Sequence, residues 1–284
     1  MRLYLLPVST RRTLLYASRF VNPTSPSSAS TTASAPPSAS PSSSTPSSYI
    51  DRGADFAARK WAQWEKMERG WQRKVVDYGN HAFRRIPFQE WGLKSVPPLS
   101  ARRRNDELRG RDKVELVFPP AAIPEHKAEG VLRTLATERQ ALHRQRLLWC
   151  FVGMPITAPL GLVPVVPNIP FFYLVYRAWS HWRAINGGKH VQWLLQNKLV
   201  QLSPSKALDQ LYTKEGQAPI EEVSGKEQML ITQKQIRDFS ETLNLPTVEI
   251  ELERAIWQVE RELEKGEQDG KQQTEKSEEK DKNS

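Results

Sequence analysis

The residues of this chain that could do chemistry are few and scattered. His143, His181 and His190 lie in a stretch without acidic residues, and none has a second candidate ligand three or four positions away. Metal sites built on one helix use such a spacing, so each histidine is predicted to be an interfacial side chain and not a metal ligand or proton carrier. The single cysteine, Cys150, lies in an apolar run and is predicted to be inert packing.

Motifs of nucleotide-binding and hydrolytic enzymes are absent from the sequence. No GxxxxGK[ST], GxGxxG, HExxH or GxSxG occurs. Gly187-Gly188 with Lys189 superficially resembles a phosphate-binding turn, but a glycine pair at the end of a helix is the favoured interpretation. We therefore predict that the protein is not an enzyme, that it has no catalytic, cofactor-binding or metal-binding residues, and that it needs no cofactor.

An arginine cluster formed by Arg102–Arg104, Arg109 and Arg111 could contact RNA or a ribosome. Proteins that bind single strands interleave such charges with aromatic platforms, and this cluster has none. Anionic lipid fits these arginines at least as well, so nucleic acid is not expected as a partner.

Charge divides the 284-residue chain into two unlike parts. The net charge of +9 and the mean hydropathy of −0.59 describe a basic, polar chain on average. Residues 201–284 nevertheless hold 12 basic and 19 acidic residues, so that the first 200 residues carry +16 and the remainder −7. The basic part is predicted to meet anionic partners.

The N-terminal residues have the composition of a mitochondrial presequence. Residues 1–22 hold four arginines, and the first acidic residue is Asp51. Arg-rich, hydroxyl-rich, acid-free and helix-amphipathic segments serve as transit peptides; a basic tail without structure is the alternative. Residues 23–48 consist of Ser, Thr, Pro and Ala and are predicted to be a disordered linker.

Residues 49–126 are predicted to form a basic amphipathic helical region. Trp61, Trp64 and Trp71 fall on one face of a helix, which favours a surface helix over one lying in a membrane interface. Val114–Phe118 alternates weakly and is predicted to be one short strand.

The central segment, residues 147–176, contains no charged side chain. Its length suffices to cross a hydrocarbon core, but five prolines between Pro155 and Pro170 cannot lie in one regular helix. We therefore predict a membrane-associated helical hairpin within residues 127–200, with transmembrane helix character, one helix ending near Met154 and the next beginning near Asn168. Whether it crosses the bilayer twice, once or only enters it stays open.

Both flanks of this segment are basic, since no Asp or Glu occurs between Arg139 and Leu208. Aromatic residues lie at its edges, as in the aromatic belts of membrane proteins. These features predict contact with anionic lipid, with cardiolipin as a candidate.

The C-terminal third is predicted to be an acidic helical region over residues 201–265, followed by a disordered tail over residues 266–284. Thr232 and Gln235 have the spacing of a capping box that opens one of its helices. The expected fold class is thus mainly α: a membrane-associated helical protein with a Pro-rich apolar hairpin and disordered terminal segments.

Two motifs carry a resemblance to a known family. The segments IPFQEWGLKSVP (Ile86–Pro97) and PNIPFFYLVYRAWSHWR (Pro167–Arg183) resemble those of the mitochondrial K+/H+ exchange-related proteins of fungi. The resemblance covers roughly residues 60–200. It implies a mitochondrial inner-membrane protein that takes part in K+/H+ exchange, with protein partners in an ion-exchange complex and soluble regions facing the matrix.

The residues limit this implied function. An exchanger needs oxygen ligands and a titratable group in the membrane, and residues 147–176 contain no carboxylate. The first hypothesis is therefore a subunit, assembly factor or regulator of the exchange system. The alternative is a membrane-attached adaptor that links matrix components, a ribosome or a protein partner, to the inner membrane; release of the protein by carbonate would favour this alternative.

Overall fold

The computed structural model describes residues 1–18, 85–159, 168–213 and 227–282, together with the single residues 63 and 70. The chain divides into two compact units, residues 1–21 with 87–284, and residues 22–86. Nearly all of the second unit, including the predicted linker and the tryptophan-bearing helix, lies outside the described residues. The following description concerns the first unit.

A four-stranded mixed sheet lies at the centre of this unit. Its strands are β1 (Arg2–Pro7), β2 (Thr13–Ser18), β3 (Val114–Phe118) and β4 (Val200–Pro204), in the order β2-β1-β3-β4. β1 and β2 form an antiparallel hairpin, whereas β1 pairs with β3, and β3 with β4, in parallel. The prediction of a strand at Val114–Phe118 is confirmed.

The helical conformation expected of residues 1–22 is not found in residues 1–18, whereas the role of the segment as a mitochondrial presequence stays a prediction. Residues 2–7 and 13–18 are strands, and β1 lies between β2 and β3. Two of the four arginines that suggested an import signal pair with carboxylates: Arg2 Nε lies 2.9 Å from Glu115, and Arg12 Nε lies 3.1 Å from Glu227. Cleavage after residue 18 would remove half of the strands.

Eight helices surround the sheet within the described ranges. They are α1 (Phe88–Ser95), α2 (Ala101–Leu108), α3 (Glu125–Thr137), α4 (Gln140–Thr157), α5 (Ile169–Gln196), α6 (Lys206–Thr213), α7 (Ile236–Leu243) and α8 (Val248–Lys282). The mainly α class is confirmed, although the sheet adds three strands that were not predicted. The predicted capping box at Thr232 is confirmed and begins a 3-10 turn, Gln233–Gln235, that leads into α7.

The predicted disordered tail of residues 266–284 is wrong for most of its length, because α8 continues to Lys282. This segment is rich in Glu, Lys and Gln, which favour helix, and its alternating charges allow pairs four residues apart.

Both faces of the sheet are covered by helices. Leu3 and Leu5 of β1 belong to a core with residues of α3 and α5, whereas Tyr4 and Leu6 belong to a second core with residues of α6, α7 and α8. Successive side chains of a strand point to opposite faces, so a strand buried on both faces is a continuous apolar run. This explains why LYLL in β1 shows no alternation.

The predicted helical hairpin is confirmed as α4 and α5, which are the most extensively packed pair of helices described. Asn168 links their ends: its side-chain oxygen accepts a hydrogen bond from Phe171 N, and its Nδ2 donates to Thr157 O at 2.6 Å. Pro170 falls in the first turn of α5, where a missing N–H costs nothing.

Transmembrane character is not found in this hairpin. Among the described helices, none has the length and apolarity needed to cross a bilayer. The uncharged run is divided between α4 and α5, and each helix also contains charged residues, such as Arg144 and Arg177.

The prediction that Gly187 and Gly188 end a helix is wrong, because both lie inside α5. A Cβ at Gly187 would lie 2.0 Å from Leu93 O of α1, and a Cβ at Gly188 would lie 2.8 Å from Ala136 O of α3. The pair is therefore the point of close backbone approach between three helices. This packing holds α5 against α1, and so positions the residues described next.

Candidate functional site

A buried ion pair joins α1 to α5, the second helix of the hairpin. The Glu90 side chain has no solvent exposure, and its carboxylate accepts hydrogen bonds from Arg177 Nη1 at 2.8 Å and Nη2 at 3.2 Å. Ser180 Oγ donates to the same carboxylate. Burial opposes ionisation of Glu90, but the Arg177 cation and the hydrogen bond from Ser180 outweigh it, and the pKa of the carboxyl is lowered. The pair is therefore held as ions.

Two histidines extend this pair into a hydrogen-bonded chain. Arg177 Nη2 lies 3.1 Å from His181 Nε2, and His181 Nδ1 lies 3.1 Å from His143 Nδ1 of α4. A guanidinium only donates, so His181 Nε2 accepts and its proton is on Nδ1. His143 Nδ1 then accepts a hydrogen bond from His181 Nδ1–H, so the proton of His143 is on Nε2, a buried atom with no hydrogen-bond partner in the described structure.

Both histidines are neutral in this arrangement. Burial lowers the pKa of His181 to about 4, against the opposing effect of Glu90. Burial likewise lowers the pKa of His143. The prediction that these were interfacial side chains is wrong, since both are only 1% exposed. A search for ligands along one helix could not detect them, because the partners come from α1, α4 and α5.

Glu90, His143 and His181 offer ligand atoms that lie within 4.8 Å of one another. A carboxylate and two imidazoles are the donors that zinc uses. Ligation through His181 Nδ1, however, would require a proton on Nε2, where Arg177 already donates. The Arg177 cation beside Glu90 would also repel a metal ion. The arrangement fits a hydrogen-bonded ion cluster better than a metal centre. We call Glu90, Arg177, Ser180, His181 and His143 the ion cluster.

Lys94, one turn after Glu90 on α1, is enclosed by aromatic rings. Its Nζ lies 3.4 Å from the Trp91 ring centroid and 3.3 Å from Tyr176 Oη, and Trp179 lies at 5.5 Å. Burial lowers the pKa of Lys94 to about 7, although Glu90 and Glu251 act in the opposite direction. Lys94 therefore titrates near neutral pH.

This titration predicts a pH-dependent stability. The pKa of Lys94 is lower in the folded than in the unfolded chain, so the unfolded chain binds more protons between pH 7 and 10.5. The unfolding free energy of the wild type should rise with pH across this window, and the rise should be smaller in Lys94→Met. Lys127→Met, at an exposed site on α3, is the control. Chemical denaturation at pH 7 and 9 measures the difference; parallel profiles for all three proteins would refute the prediction.

His190 belongs to a separate buried pair. Its Nε2 lies 2.9 Å from Glu107 of α2, and its Nδ1 lies 2.7 Å from Pro97 O. Both ring nitrogens thus face oxygen acceptors, which tie α5 to α2 and to the proline-rich connector between α1 and α2. Cys150 is buried as predicted, and burial raises the pKa of its thiol.

The ion cluster and the aromatic enclosure of Lys94 together unite the two sequence motifs of the resemblance. Glu90, Trp91 and Lys94 come from the first motif, and the second supplies four more residues: Tyr176, Arg177, Ser180 and His181. Sequence reasoning missed Glu90 and Arg177 because they are 87 positions apart. Their presence inside the two motifs was the available signal.

These features define a sheet protein covered by helices on both faces, with a helical hairpin anchored by a buried ion cluster. The chain belongs to the family described as mitochondrial K+-H+ exchange-related, whose model matches residues 2–195. The match runs from β1 to the last turn of α5 and includes every residue of the ion cluster.

Two fungal proteins are similar to the chain. An uncharacterized protein of Schizosaccharomyces pombe is 29% identical over 193 residues, which cover 63% of this chain and 82% of that protein. An uncharacterized protein of Saccharomyces cerevisiae is 25% identical over 238 residues, which cover 74% of each chain. No solved structure matches the chain.

Proposed function

We propose that the protein takes part in K+/H+ exchange across the mitochondrial inner membrane as a subunit, assembly factor or regulator, and that the α4–α5 hairpin attaches it to the matrix side of that membrane. The family relates the chain to mitochondrial K+/H+ exchange. The observation that carries the proposed role and membrane attachment is the buried ion cluster at the base of an exposed apolar hairpin.

The hairpin supports the attachment. Large apolar side chains of both helices face solvent, among them Trp149 at 67% and Ile156 at 72% exposure; the others are Leu142, Leu148, Phe151, Val152, Phe172, Tyr173, Val175, Trp179 and Trp182. Exposed apolar surface of this extent marks a membrane or protein contact. A helix can attach by lying in the interface without crossing the bilayer, and the basic flanks suit anionic headgroups.

The cluster favours a subunit or regulator over an exchanger acting alone. Potassium coordination requires several free oxygen ligands, and the Glu90 carboxylate is already occupied by Arg177 and Ser180. Lys94 lies between α1 and α5 and titrates near neutral pH. Its protonation would place a positive charge in the contact between α1 and the hairpin helix α5. This gives a regulator a means to respond to matrix pH.

Swelling in potassium acetate tests the proposal. Acetic acid acidifies the matrix, and swelling then requires exchange of H+ for K+. We expect slower swelling in mitochondria lacking the protein, recovery with the wild type or an added K+/H+ ionophore, and little recovery with Trp149→Ser/Ile156→Ser. Unchanged swelling without the protein would refute the function. Robust K+/H+ exchange by the purified chain alone in liposomes would refute the subunit and regulator form.

A further inference from the structure

One stripe of α5 changes character along the helix. Phe172, Val175, Trp179, Trp182, Asn186, Lys189 and Trp193 follow at alternating steps of three and four residues, which places them on one helix face. Trp179 and Trp182 are 47% and 50% exposed. The stripe thus runs from apolar residues near the hairpin tip, through tryptophans, to an amide and a lysine.

The polar end of this stripe lines a surface cavity of about 420 Å³. Arg104 of α2 and Lys189 supply its charges, and Trp182 and Trp193 flank them together with Asn186. The lining includes no acidic residue, and in the described structure neither Arg104 nor Lys189 has a carboxylate partner. Two cations without a carboxylate partner in the described structure, an amide and two indole rings suit a phosphate group with an organic substituent. Arg104 also lies 5.8 Å from the centroid of the Trp193 ring.

We propose that this cavity binds the headgroup phosphate of an anionic phospholipid. The proposal rests on the proposed membrane attachment and names its ligand. Val175 and Lys189 are 14 positions apart, or about 21 Å along the helix at 1.5 Å per residue. With α5 inclined to the membrane plane and Val175 in the acyl region, Trp179 and Trp182 lie at the interface, where indole rings are enriched, and the cavity lies at the level of the phosphates.

Continuity with the apolar end of the stripe favours lipid over RNA. Trp182 and Trp193 could stack bases, and Arg104 could contact a nucleic acid phosphate. RNA would leave Phe172 and Val175 exposed, whereas a lipid surface would cover the whole stripe. Charge agrees with this choice, since no acidic residue occurs from residue 139 to 208.

Vesicle flotation of the full chain tests the site. The probes are vesicles of phosphatidylcholine alone and with one fifth cardiolipin. We expect Arg104→Gln/Lys189→Gln to lose tenfold or more in affinity for the cardiolipin vesicles. The control Lys127→Gln/Arg133→Gln removes the same charge from exposed positions of α3 and should lose less than threefold. An equal loss in both double variants would refute the site.

Three further arms separate the alternatives. Glycerol phosphate at millimolar concentration should compete with cardiolipin vesicles for the wild type; equally tight binding of inorganic phosphate in the absence of vesicles would replace the lipid assignment by a small-anion site. Binding of single-stranded RNA that the cavity variant loses would overturn the lipid assignment. Vesicle binding that requires Trp149 and Ile156 but ignores Arg104 and Lys189 would refute the cavity and leave the hairpin attachment standing.

Discussion

Glu90→Gln is expected to lower the unfolding free energy by about 3–5 kcal/mol, because removal of one partner of a buried ion pair leaves an uncompensated charge. Glutamine can still accept hydrogen bonds from Ser180 and Arg177. The charge of Arg177, which is only 8% exposed, would however have no counter-ion within the pair. Urea denaturation measures the loss.

Two further variants sharpen this experiment. Glu90→Gln/Arg177→Met removes both charges and should recover part of the lost stability. Glu241→Gln breaks the solvent-exposed pair with Arg237 and should change stability by no measurable amount, because water screens such pairs. A loss in Glu90→Gln no larger than that in Glu241→Gln would show that the cluster does not hold the hairpin.

Gly187→Ala is expected to destabilise the fold by about 1–3 kcal/mol, although alanine favours helix, because a methyl group has to be placed in a filled interior. The added Cβ would lie 2.0 Å from Leu93 O, a backbone atom that cannot rotate away. The helices α1 and α5 would have to separate, which also lengthens the contacts between Glu90 and Arg177.

Gly130→Ala provides the matched control on α3. A Cβ there meets nothing within 4 Å, so this variant should gain about 0.5–1 kcal/mol from helix propensity alone. Thermal melting of both variants beside the wild type gives the two signs directly. A stabilised Gly187→Ala would contradict the close approach of α1 and α5.

Local chemistry predicted those parts of the fold that depend on near neighbours. The uncharged run with its prolines and Asn168-Ile169-Pro170 indicated the hairpin and the start of α5, and Thr232 with Gln235 indicated a helix start. Each of these signals is read within a few residues, where capping and proline geometry act.

Contacts between distant residues account for the errors. Arg2 and Arg12 contribute to a composition typical of an import signal. Only the fold shows that they pair with Glu115 and Glu227. The cluster likewise needs α1, α4 and α5 to be packed before Glu90, His143 and His181 become neighbours. Composition and helical periodicity contain no information on such pairings.

The position of β1 has a consequence for how the protein is assembled. β1 is the first segment of the chain, yet it pairs with β3 through Arg2 and Glu115, 113 positions later, and β3 in turn pairs with β4 at residues 200–204. A two-stranded hairpin such as β1–β2 is marginal in water by itself. The sheet can therefore close only after β4, at residues 200–204, has emerged from the ribosome. Such a high contact order slows folding, and the apolar hairpin, which lies between β3 and β4 in sequence, is exposed before the sheet is complete.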